Sequence, residues 1–108
     1  MIDQAKAIWV ASFRKLPAEI TQIGYNIMTG PEYAEFKVGN LELISIFQTS
    51  GIWRVTYISK KPSSANGFGL NHTDYSESKI DAGLNLRTAN AMTFLRENLR
   101  KLQMLHII

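Results

Sequence analysis

Two hairpin turns between Tyr33 and Lys61 restrict this chain more than any other feature. Three β-rich runs surround them: Tyr33–Val38, Leu41–Gln48 and Ile52–Lys60. The connections are Gly39-Asn40 and Thr49-Ser50-Gly51. Gly39 suits the positive φ at the first position of a two-residue type II′ loop, and Gly51 the left-handed position that ends a three-residue loop. The expectation is an antiparallel meander. Alternation places Trp53, Val55 and Tyr57 on one face and Ile52, Arg54, Thr56 and Ile58 on the other. In the middle run Leu41, Leu43, Ser45 and Phe47 share one face, and Ile44 and Ile46 share the other with Glu42 and Gln48. Neither face is cleanly polar, whereas a sheet wet on one side alternates more sharply. Something is therefore expected on both faces: a helix on one, and on the second another helix, a partner subunit or a ligand that accepts aromatics.

The flanks supply helices. Residues 1–16 read as an N-terminal helix, with Ala5, Trp9, Ser12 or Phe13, and Leu16 at three- and four-residue steps and Asp3 as N-cap. Pro17 ends it or opens another turn. Residues 18–30 fit a helix through Ile20, Ile23 and Ile27, or a strand through Ile23, Tyr25 and Ile27, and Thr29-Gly30-Pro31 breaks either. Residues 61–81 read as a long polar loop rich in Ser, Asn and Gly, with Phe68, Leu70 and Tyr75 as apolar anchors. Residues 82–104 read as a short strand, Ala82–Leu86, and then an amphipathic helix with Met92, Leu95, Leu99 and Leu102 on its stripe. The apolar tail, Leu105-His106-Ile107-Ile108, needs cover from the domain or from a second copy. The fold class expected is α+β: an N-terminal helix, an antiparallel meander of three to five strands, and a C-terminal helix packed on the sheet.

At 108 residues the chain is one small domain, and 45% hydrophobic with 19% charged is a globular composition. With no cysteine, disulfides, thiol catalysis and cysteine-bound zinc are excluded. No secretory leader pattern and no run near the roughly 20 apolar residues of a membrane span is present, so a cytoplasmic protein without a membrane partner is expected. The net charge of +3 is uneven: residues 51–108 hold eight basic against four acidic side chains, residues 1–50 four against five.

No motif specifies a reaction, and a non-enzyme without cofactor or metal is expected. His72 with Asp74 suggests a general base, but a histidine in a surface loop is ordinarily just solvated. Gly67-Phe68-Gly69 lacks the Gly-Lys-Ser/Thr ending of a phosphate loop. Nucleic-acid binding has more behind it. Phe36, Trp53 and Tyr57 would stack on bases, and Lys37, Arg54, Lys60 and Lys61 would hold phosphates, which is the pairing single-strand binders use. The competing fate of each aromatic is burial under a helix, the commoner one. A rival function is a small adaptor or inhibitor that grips another protein through the sheet face and the 60–80 loop. The two-sided apolar sheet and the apolar tail favour a homodimer.

Phe36-Lys37-Val38-Gly39, Leu43-Ile44-Ser45-Ile46, Gly51–Ile58 and the glycine-led Ala82–Leu86 occur in an order that resembles the single-stranded-DNA-binding fold of positive cofactor four and the Whirly proteins. The resemblance covers residues 36–103. It implies four antiparallel strands followed by a helix, pairing of two subunits through their helices, and single-stranded DNA carried on curved sheets.

Overall fold

Turn chemistry builds the sheet one hairpin at a time. The computed structural model describes residues 1–108, as α1 (Ile2–Phe13), α2 (Ala18–Ile23), β1 (Asn26–Gly30), β2 (Tyr33–Val38), β3 (Leu41–Thr49), β4 (Ile52–Lys60), β5 (Phe68–Ser76) and α3 (Ile80–Met104). The five strands form one antiparallel sheet in sequence order. Val38 pairs with Leu41 across Gly39-Asn40, and φ is +61° at Gly39, as a type II′ loop requires. The next loop is tighter than the sequence reading: Thr49 pairs with Ile52, which leaves Ser50 and Gly51 as the only loop residues. Both have positive φ, +50° and +77°, the signature of type I′. Pro31 with Glu32 at φ +59° closes β1 onto β2 in the manner of a type II turn. The ambiguous 18–30 segment is thus both things, a short helix and then an edge strand.

Residues 68–76 are strand where a long polar loop was expected. Only residues 61–67 turn, held by Lys61 N–H on the Gly67 carbonyl (2.7 Å), Ser64 Oγ on the Phe68 carbonyl (2.6 Å) and Phe68 N–H on Asn66 Oδ1 (3.0 Å). β5 is polar because it is an edge with one face in water, which needs few apolar side chains.

Residues 82–86, expected as a strand, belong to the first turns of the 25-residue α3. Gly83 suggested a strand, yet its role is steric. A Cβ there would stand 2.4 Å from the Tyr75 ring, so the helix reaches β5 only if this position lacks a side chain. The far end of α3 closes with a Schellman motif. His106 sits at φ +56°, Ile107 N–H bonds the Leu102 carbonyl (2.9 Å) and His106 N–H that of Gln103 (3.0 Å). The tail then packs on its own domain, with Ile108 beside Gly39 and Ile107 against the core.

Both helices lie on the same face of the sheet. Trp9 of α1 stacks on Phe36 of β2 with ring centroids 5.4 Å apart. α3 crosses β4 and packs against α1. One core results, built from Ala5, Trp9 and Phe13 of α1, Leu84, Leu95 and Leu102 of α3, and Phe36, Val38, Ile44, Ile46, Trp53 and Val55 of the sheet. The fold is therefore the α+β arrangement expected, with five strands and a helical layer on one side only.

The open sheet face as a candidate interaction surface

Strand register decides which side chains reach the uncovered face. One row across the strands is Gly30, Tyr33, Phe47, Arg54 and Asp74; the next is Met28, Glu35, Ser45, Thr56 and His72. A β-bulge sets a third. The register slips between Phe36 and Lys37, so Phe36 pairs with Ile44 but Lys37 with Glu42, leaving Leu43 as the extra residue. Glu42 therefore lies with Lys37, Ser45 and Phe47, not with Ile44 as strict alternation would have it. Leu43 is fully buried.

The large apolar residues on this face are Met28, Phe47, Ile52 and Leu70, between 42% and 51% exposed. The Tyr33 and Phe47 rings meet edge-on at 6.4 Å. At the end of the face Leu41, Ile58, Phe68, Leu70 and Ile107 wall a cavity of about 230 Å³, with Glu42 and Asn66 on its lining. Such a volume is below the roughly 300–1,000 Å³ of small-molecule sites and suits one inserted side chain.

The charged groups of the face are mostly engaged with each other. Arg54 donates to both Asp74 oxygens, at 2.9 and 3.1 Å, and this bond holds the Asp74 carboxyl below its usual range. Tyr33 donates its hydroxyl to Glu35. Lys37 Nζ stands 3.1 Å from the other Glu35 oxygen, a charge contact without hydrogen-bond alignment. The Tyr33 bond, and then Lys37, lower the Glu35 carboxyl; burial, helped by the same bond, pushes the Tyr33 hydroxyl up to about 12. Glu42 differs. It has neither a hydrogen bond nor an ion pair, and burial raises its carboxyl above the usual carboxylate range.

The seven residues expected to bind nucleic acid are not brought together. Phe36 and Trp53 are 1% and 4% exposed beneath the helices and are core, because their face is the one α1 and α3 cover. Trp53 donates its indole N–H to Glu77. Tyr57 shares that side and lies under the Arg87 guanidinium, 4.0 Å from the ring centroid, while Arg87 also bonds the Tyr75 and Thr73 hydroxyls. Lys37 and Arg54 stand on the open face, each beside a carboxylate. Lys60 and Lys61 are exposed where β4 enters its turn. Phe47, Met28, Leu70 and Glu42 were not among the seven expected site residues, although Leu70 stands in the segment that the adaptor reading used; the signal for Phe47 was its cross-strand row with Tyr33 and Arg54.

No helix is long and apolar enough to cross a membrane. No group of three or more metal-ligating side chains is assembled. Comparison with protein-family models, curated proteins and solved structures returns no match. The likeness to the Whirly and positive cofactor four fold thus rests on the sequence alone, and the residues likened to its fourth strand are helical here.

Proposed function

We propose that this chain is a non-catalytic interaction module that docks another protein on the open face of its sheet. The observation that carries this reading is the combination of exposed apolar side chains with the cations Arg54 and Lys37 already paired in place. Phosphates need free cations along a groove, and on this face Arg54 is committed to Asp74 and Lys37 to Glu35. Residues 25–76, the sheet and its turns, hold four basic and four acidic side chains, so the whole net charge of +3 resides in the helical segments. A half-dry patch with a polar surround fits a protein partner. The cavity beside Leu70 supplies an anchor site, and the unpaired Glu42 carboxylate favours a partner with a large apolar side chain next to Lys or Arg.

Panning the folded chain against a random-peptide phage library tests this. The enriched peptides are expected to combine an apolar anchor with a basic residue and to lose binding to the Leu70→Glu variant by about a hundredfold, as for loss of a central anchor. Binding unaffected by Leu70→Glu would refute the reading. So would salt-sensitive binding of a single-stranded oligonucleotide, which would restore the nucleic-acid expectation.

A further inference from the structure

The sheet has two edges, and they are protected unequally. β1 has five residues, and its hairpin turns back through Pro31 and Glu32. β5 has nine, with no proline and no lysine. Short edges, prolines and lysines are among the devices that stop a strand from pairing with another chain; β5 is long and holds neither residue within it, and only its Gly69 end is covered, by the Lys61 side chain. It pairs with β4 alone. The backbone of residues 69–75 makes no other hydrogen bond, so alternate N–H and C=O groups point outward without a partner. Asn71, His72 and Asp74 along this edge are exposed, while α3 packs chiefly on β4 and α1.

One apolar side chain flanks the edge on the open face: Leu70, 46% exposed. On the other face the Arg87 guanidinium of α3 bonds the Thr73 and Tyr75 hydroxyls.

We propose that β5 pairs antiparallel with β5 of a second copy of this chain, across a two-fold axis at His72, to form one continuous sheet of twice five strands. The second copy is favoured by charge. Phe68–Ser76 contains a single carboxylate, Asp74, which Arg54 already binds, and no cation. Overlap of residues 70–74 about His72, clear of Phe68 whose backbone Ser64 and Asn66 already bond, therefore sets no like formal charges opposite each other, and it places a Leu70 from each copy along the seam. The bonds of this pairing are made by the β5 backbone, and of the open-face side chains only those of β5, Leu70 and His72 among them, border the seam; the pairing is therefore tested apart from the proposed partner through Phe47, two strands away.

Sedimentation equilibrium over a concentration series tests it, with His72→Lys and Phe47→Glu as variants. The wild-type chain is expected to form a reversible dimer. His72→Lys sets two ammonium groups opposite each other at the axis and raises the dimer dissociation constant about tenfold or more. Phe47→Glu lies on the open face, two strands away, and leaves that constant unchanged. Amide exchange on the wild type gives an independent reading: alternate amides of residues 70–74 are protected at high concentration and lose protection on dilution. A chain that stays monomeric to about 1 mM overturns the proposal. So does a dimer that ignores His72→Lys, or one that Phe47→Glu dissociates.

Discussion

Glu42 is turned onto the open face by the bulge at Leu43, and there its half-buried carboxyl meets no cation at bonding distance. Its folded-state pKa is raised, so the folded chain holds this proton more tightly than the unfolded chain does. The linked stability is fully present below the unfolded value, about 4.3 for Glu, and is lost as pH rises through the folded one. Glu35 has the opposite sign: its carboxyl is lowered, so its contribution is present above the unfolded value and lost as pH falls through the folded one. Glu42→Gln is therefore expected to stabilise the chain at pH 7 by less than about 1 kcal/mol, since the carboxylate remains partly solvated. The gain should fade as the pH approaches 4. Urea denaturation of both forms at the two pH values checks this, and a variant less stable at pH 7 would mean that Glu42 has a partner in solution. At this scale the sequence was legible only in part. Alternation sorted Trp53, Val55 and Tyr57 from Arg54 and Thr56 correctly. It carried no information on which set the helices cover, because both contain large apolar side chains. Nor does alternation survive a bulge, which is why Glu42 and Leu43 exchanged places.

Among the elements, α3 and β5 depart most from the sequence reading, and they do so together. Gly83 lies in a helix interior, where glycine costs about 1 kcal/mol relative to alanine. The cost is offset by contact: the Tyr75 ring occupies the space of the missing Cβ, while its hydroxyl accepts a hydrogen bond from Arg87 at 3.2 Å. Gly83→Ala must displace this ring. Overpacking of about 2–3 kcal/mol outweighs the propensity gain, for a net loss of about 1–2 kcal/mol. Thermal denaturation measures it, and a stabilised variant would show that propensity alone governs the site. The same contact explains the misreadings. Taken locally, a glycine near the start of Ala82–Leu86 argues for a strand, and a Ser-, Asn- and Gly-rich run for a loop. Tyr75 against Gly83 is a long-range fact, and neither local composition nor periodicity encodes it. The meander from β2 to β4 was legible because its information is local: glycines at loop positions that need positive φ, with β-branched and aromatic residues between them.

On the scale of the whole molecule, the two layers divide the labour. The helical layer takes the net positive charge and shields Phe36 and Trp53; the sheet is neutral and turns Phe47, Met28 and Leu70 outward. α+β architecture followed from the order of periodic segments, but the one-sided placement of both helices did not. That placement is what moves the candidate site from the expected aromatics to the opposite face. The most direct test is amide chemical-shift mapping of the folded chain titrated with a peptide enriched by panning. Perturbations are expected around Glu42, Phe47, Ile58 and Leu70, with the outer surfaces of α1 and α3 unchanged. Perturbations confined to the groove between those helices, around Lys15 and Arg96, would contradict the assignment of the open face as the docking surface.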